Sequence, residues 1–209
     1  MKQSHKTLGV VLAGGQSRRM GNVDKTLMSF NGVSLTQHAL NRIASQVDQS
    51  VINTNADPTA FEELGVPVLP DTVQGYAGPL AGILTAMKYA HENQFSMVAS
   101  VAADTPFFPK DLVARFLAAG THDIILAGSG GHRQPTFGLW SAALMKELEQ
   151  FLTDGDERKI MRFVQRYSWA SVEFDAQNLG EIDPFFNINT PEDMEHAVNY
   201  MNKNEVANA

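Results

Sequence analysis

Apolar positions along the chain form short unbroken runs, with segments of helical spacing between them. Residues 7–12 are apolar at Leu8, Val10, Val11 and Leu12, a run that suits a strand covered on both faces. Further strands are expected over residues 50–54, over 66–69 ending at Pro70-Asp71, and over 97–101 running toward Asp104. Helices are expected over 35–46, with Ser34 placed to cap it, over 78–91, led by glycine, and over 111–119, closed by Gly120. Beyond this point the pattern is less regular. It predicts strands over 123–127, 136–140, 169–174 and 185–188, and helices over 142–152, 157–167 and 191–200. The last helix has Thr190 as its cap and Pro191 at its first position. Gly128-Ser129-Gly130-Gly131 reads as a turn, and residues 202–209 as a flexible tail.

Alternating strands and helices predict an α/β fold: a Rossmann-like three-layer sandwich with a mostly parallel central sheet and helices on both faces. One domain is expected over residues 1–201, with an N-terminal part to about residue 120 and a C-terminal part beyond it. Ligands of such sheets bind beyond the carboxyl ends of the strands. Gly14, Asn53, Asp71 and Asp104 each follow or end a predicted strand.

Composition narrows the chemistry. The 209 residues contain no cysteine, which excludes a disulfide scaffold, a thiolate metal site and a cysteine nucleophile. The formal net charge of −7 argues against broad nucleic-acid binding. The polar start and the lack of a long apolar run predict neither a secretory signal nor a membrane span, and hence a cytoplasmic protein. An anionic substrate would need locally concentrated positive charge, and Arg18, Arg19 and Lys25 crowd one short segment. The six histidines show no metal-binding spacing.

That segment follows the first strand: Leu12-Ala13-Gly14-Gly15-Gln16-Ser17-Arg18-Arg19-Met20-Gly21-Asn22-Val23-Asp24-Lys25. Adjacent glycines let a backbone approach a phosphate and present its N–H groups to it. Neither the P-loop pattern nor the dinucleotide G-x-G-x-x-G is present. Taken alone, a double glycine after a strand is equally a tight turn. The whole string, however, resembles the signature loop of the nucleotidyltransferases that activate sugars and cofactors. Gly78-Pro79-Leu80-Ala81-Gly82 and Asp104-Thr105-Pro106 extend the likeness. Asp156-Glu157-Arg158-Lys159-Ile160-Met161 and Asn187-Ile188-Asn189-Thr190-Pro191-Glu192 point to the molybdopterin branch, the molybdenum cofactor guanylyltransferases. Two positions depart from the family pattern: Ala103 stands where many relatives have cysteine, and Asn22 where glycine is common.

The resemblance implies transfer of GMP from GTP to molybdopterin, giving the guanine dinucleotide cofactor and pyrophosphate. It implies that Leu12, Ala13, Gly14 and Gly15 hold the nucleotide through backbone groups, that Lys25 and Arg19 serve the phosphates, and that Asn53 and Asp71 meet the guanosine. It further implies Asp104 as the ligand of Mg²⁺, a hard cation suited to carboxylate and phosphate oxygens. Cofactor-inserting proteins and molybdoenzymes are the implied downstream partners. Each residue also has a plainer reading: a solvated surface lysine for Lys25, turn formers for Asn53 and Asp71, a helix cap for Asp104. Arg158, Arg162 and Arg166 are spaced by four and would form one basic stripe on a helix, with Lys159 beside it. With Arg158, Asn187 and Asn189 as its candidate contacts, this segment is the expected molybdopterin site; the alternative is a solvated helix face. Competing functions are a molybdopterin cytidylyltransferase, a sugar-phosphate nucleotidyltransferase, and a nucleotide-binding module without turnover. The last could dispense with Lys25 and Asp104, which are both present.

Overall fold

The computed structural model describes residues 6–14, 25–73, 75, 78–154, 159–174 and 182–207; for Lys25 and residues 204–207 it describes the backbone alone. The strands are β1 (Thr7–Leu12), β2 (Ser29–Phe30), β3 (Val33–Ser34), β4 (Gln49–Asn53), β5 (Val68–Leu69), β6 (Met97–Ala102), β7 (Ile124–Ser129), β8 (His132–Ser141) and β9 (Trp169–Glu173). The helices are α1 (Leu35–Ala44), α2 (Pro79–Glu92), α3 (Leu112–Ala118), α4 (Met145–Thr153), α5 (Ile160–Val164) and α6 (Pro191–Ala207). Seven strands form one sheet in the order β5-β4-β1-β6-β8-β7-β9. β5, β4, β1 and β6 are mutually parallel, β8 runs against both β6 and β7, and β9 is parallel to β7. The expected α/β architecture with a mostly parallel sheet is the one observed.

The alternation of side chains along each strand divides the core between two layers. Leu8, Val10, Leu12, Val51, Val98, Ile124, Leu126 and Trp140 pack under α2, α4 and α5. Val11, Ala13, Ile52, Ala99, Val101, Ile125, Ala127, Phe137 and Leu139 pack under α1 and α3. Because β1 is buried along its whole length, it has no polar face to present, which explains its unbroken apolar run. Ala103 is fully buried in the second layer, so the side chain there meets core rather than ligand. A smaller third cluster joins Phe30 of β2 and Leu35 of α1 to Ile188 and Ala197.

Ser34 caps α1 as expected, its hydroxyl accepting the Gln37 N–H at 3.1 Å. Thr190 and Asp193 form a reciprocal cap at the start of α6: the Thr190 hydroxyl accepts the Asp193 N–H at 3.1 Å, and the Asp193 carboxylate accepts the Asn189 and Thr190 N–H groups at 2.9 Å. Three expectations need correction. Residues 185–188 form no strand: the Phe185 N–H turns to the Asp183 side chain at 2.7 Å, the Phe186 N–H to the Asp183 carbonyl, and the Ile188 N–H to the Asp104 carbonyl. α6 does not stop at Tyr200; its backbone stays helical to Ala207, through most of the segment read as a tail. The glycine-rich turn is only Gly130-Gly131, with φ of 55° and 76°, since Gly128 and Ser129 belong to β7. Two positive φ values in a two-residue loop are what a tight hairpin between right-twisted strands needs. Asn31-Gly32 does the same for the unexpected β2–β3 hairpin, at φ of 48° and 88°.

Candidate nucleotide site

The ends of β5, β4, β1 and β6 lie side by side at one edge of the sheet, and the candidate residues gather there. Beyond β1, the Ala13 N–H donates to the Asn53 carbonyl at 2.8 Å, and the Ala103 N–H donates to the Leu12 carbonyl at 3.1 Å. Leu12 and Ala13 are buried, so any ligand contact from them is through the backbone. Gly14 is the first exposed residue past the ladder, and a methyl placed on it would meet nothing within 4 Å.

Asn53 closes β4 and is 5% exposed. Its amide donates to the Leu69 carbonyl at 3.1 Å and to one Asp71 carboxylate oxygen at 2.9 Å. The other oxygen of Asp71 accepts from the Asn55 amide at 2.8 Å, and the Asp71 N–H donates back to the Asn55 side-chain oxygen at 2.9 Å. One residue further on, the Thr72 N–H donates to the Thr85 hydroxyl at 3.1 Å. Thr85 is on α2, as is Gly82, and the Asn53 side chain lies directly against Gly82. A methyl there would stand 2.1 Å from Asn53 Oδ1 and 2.7 Å from a Leu12 methyl. Glycine at this helical position is a packing requirement of the site, despite a cost of about 1 kcal/mol in helix propensity.

Asp104 follows β6 and is partly exposed. Its Oδ1 accepts the Thr105 hydroxyl at 3.2 Å, and its carbonyl accepts the Ile188 N–H at 2.8 Å. The second bond brings Asn187 and Asn189, both exposed, to the strand-end edge. α1 and the turn that follows it steady the segment after Asp104. The Arg42 guanidinium donates to the Phe108 and Phe107 carbonyls. Gln46 donates to the Pro109 carbonyl at 3.2 Å and accepts the Val113 N–H at 3.0 Å. Burial pushes the Arg42 guanidinium below its ordinary value, with Tyr200 acting the other way. α1 also fixes the return of the glycine-rich segment: the Thr36 hydroxyl donates to the Thr26 carbonyl at 2.9 Å, one residue after Lys25.

Residues 9–171 match the family model described as the MobA-like NTP transferase domain. The chain belongs to this family. It is 45% identical over 194 residues to a molybdenum cofactor guanylyltransferase of Mesorhizobium japonicum, covering 90% of this chain and 93% of that one. To one from a Bradyrhizobium strain it is 44% identical over 194 residues, covering 90% of each. Among solved structures it resembles the molybdopterin-guanine dinucleotide biosynthesis protein A of Archaeoglobus fulgidus, with a TM-score of 0.71 and 26% identity over 94% of this chain and 99% of that one. Membership in the MobA-like family makes this chain a nucleotidyltransferase.

Within that family frame, the structure places Leu12, Ala13, Gly14, Asn53, Asp71 and Asp104 at one edge. Gly15, Arg19 and Arg158 lie outside the described residues, as does the side chain of Lys25, whose backbone opens a short 3-10 turn, Lys25–Leu27. The expected arginine stripe is not carried by one helix. α5 is only Ile160–Val164, so Arg162 lies on it and Arg166 beyond it, with its guanidinium 4.6 Å from the centre of the Phe151 ring. Asn187 and Asn189 stand in a loop rather than a strand, so strand alternation does not align them; the bond between Ile188 and Asp104 is what brings them to the site. Reading the sequence also missed Asn55, Thr85, Arg42 and Gln46. Asn55 had a signal, since it repeats Asn53 at a spacing of two; the other three have none short of the tertiary contacts.

Proposed function

We propose that this nucleotidyltransferase transfers GMP from GTP to molybdopterin, releasing pyrophosphate. The observation that carries this reading is the convergence of Gly14, Asn53, Asp71 and Asp104 at the ends of four adjacent strands, with residues 187–189 tied to Asp104. The exposed backbone after β1 and the cations of the glycine-rich segment suit a triphosphate. Asn53 and Asp71 suit the donor groups of guanosine. The names of the relatives at 45% and 44% identity support guanine over other bases. Asn187, Asn189 and Arg158 remain the proposed contacts of molybdopterin, and cofactor-inserting proteins and molybdoenzymes the proposed recipients of the product.

The donor set suits magnesium. Asp104 supplies one partly exposed carboxylate, and no cluster of three metal-binding side chains exists among the described residues. Mg²⁺ is commonly held this way, by one or two carboxylates with waters and substrate phosphates completing six positions. When bound, the ion would neutralise charge on the phosphates and on the departing pyrophosphate. The protein's own part is to hold the two substrates in line at fixed distance, which for phosphoryl-type transfer is most of catalysis. Incubation with molybdopterin, Mg²⁺ and each of GTP, CTP, UTP and ATP tests the reading. The guanine dinucleotide and pyrophosphate should accumulate with GTP; equal turnover of CTP would overturn the choice of base.

A further inference from the structure

We infer that Asn55 is a positioning residue for nucleotide selection: its amide fixes the orientation of the Asp71 carboxylate. The inference rests on the reading that Asp71 addresses guanosine, and goes beyond it by naming what makes Asp71 competent.

A carboxylate has about four lone-pair directions. Asn53 takes one on the first oxygen and Asn55 one on the second, at 2.9 and 2.8 Å. Two amides gripping opposite oxygens stop the carboxyl group rotating about its bond, and they leave one acceptor direction on each oxygen for a ligand that presents neighbouring donors. Both grips are neutral. A lysine or arginine in their place would cancel the charge that makes Asp71 attractive to N–H and O–H donors and unattractive to phosphate. Asn55 is also exposed and contributes nothing to the core, so its two bonds to Asp71 are its structural content. The loop is held independently on its far side by the Thr72–Thr85 bond. Beside the bond by which it accepts the Asp71 N–H, Asn55 therefore contributes the orientation of the carboxylate.

Substitution of Asn55 with and without Asp71 separates these roles. Asn55→Asp keeps the oxygen that accepts the Asp71 N–H but replaces the donor amide with a second negative charge. If Asn55 orients the carboxylate by donating to it, GTP affinity should fall several-fold in Asn55→Ala and further in Asn55→Asp. If it only anchors the loop backbone, Asn55→Ala should weaken GTP binding as much in the Asp71→Ala background as in the wild type. Full-length wild type, Asn55→Ala, Asn55→Asp, Asp71→Ala and the Asn55→Ala/Asp71→Ala pair would be titrated with GTP and Mg²⁺, and separately with pyrophosphate. Turnover at saturating GTP and thermal melting are read in parallel. The expected result is KM for GTP raised in both Asn55 variants, with kcat, pyrophosphate affinity and melting temperature unchanged, and no added loss from Asn55→Ala once Asp71 is alanine. Unchanged GTP affinity in Asn55→Ala, beside weakened binding in Asp71→Ala, overturns this inference alone. Wild-type GTP affinity in Asp71→Ala overturns the guanosine reading of Asp71, and this inference with it.

Discussion

The parallel half of the sheet, β5-β4-β1-β6, and the mixed half, β8-β7-β9, are built from similar apolar residues but end differently. In the parallel half, strand after strand finishes at the same edge, with Gly14, Asn53, Asp71 and Asp104 at or just beyond the strand ends. In the mixed half, β7 turns tightly at Gly130-Gly131 and returns as the ten-residue β8. Its buried polar bonds tie it to the parallel half: the Trp140 indole donates to the Ser100 hydroxyl of β6 at 2.9 Å, and that hydroxyl to the Thr136 carbonyl of β8 at 2.8 Å. The mixed half also leads into the C-terminal chain, which returns to Asp104 through one backbone bond from Ile188. Parallel strands need crossovers and therefore present many loops at one end. A hairpin uses two residues and presents almost none. On the proposed reading, the first half carries the nucleotide chemistry and the second serves as scaffold.

The sharpest way to break this division is Asp104→Asn, which keeps the size of the side chain and removes its charge. Turnover should fall on the order of a hundredfold with the melting temperature nearly unchanged, as for loss of a main electrostatic stabiliser. Near-normal turnover at limiting Mg²⁺ would take Asp104 out of the chemistry. Gly82→Ala comes next. The added methyl must displace Asn53 or Leu12, and overpacking of this kind costs about 1–3 kcal/mol. GTP affinity should fall together with stability, because Asn53 is pushed off Asp71; a loss of stability alone would show that the contact is only packing.

Trp140→Phe addresses the other half. It removes a buried donor and leaves a small void, at a cost of about 2 kcal/mol in urea unfolding. Turnover per folded molecule should be unaffected, and a selective loss of activity would contradict the scaffold role. The smallest effect is expected at the α6 cap. Hydrogen bonds, foremost from the Asn189 N–H and then from Thr190, hold the Asp193 carboxyl below the usual carboxylate range. A lowered folded value means the stabilisation is complete above the unfolded carboxylate value of about 3.9 and is lost as pH falls through the lowered one. In an acid titration by NMR, the Asn189 and Thr190 amide signals should stay flat down to about pH 4 and move only below it. Movement near neutral pH would mean that another group governs the segment. Thr190→Val should cost about 1 kcal/mol by removing the other half of the cap.

The buried strands, the helices between them and the caps at Ser34 and Thr190 were legible from the chain alone. Apolar runs, apolar spacing and capping residues are local properties whose physical effect is also local. The family and its motif residues were legible for a related reason: a backbone that approaches a phosphate tolerates few residue types. The Asn31-Gly32 hairpin carries the same kind of local signal. What tertiary structure decided is of another kind. Residues 185–188 have the apolar content of a strand, but the N–H groups of Phe185, Phe186 and Ile188 go to Asp183 and Asp104 instead of to a neighbouring strand. Asn53 and Asn55 lie at and just past the end of β4 and Asp71 past the end of β5, and nothing local says that two amides will close on one carboxylate. Gly82 lies inside a helix, where local propensity opposes it, because Asn53 from another strand needs the space. A hydrogen bond between distant residues depends on where the whole sheet puts its strand ends, and that is settled only when the two core layers are packed.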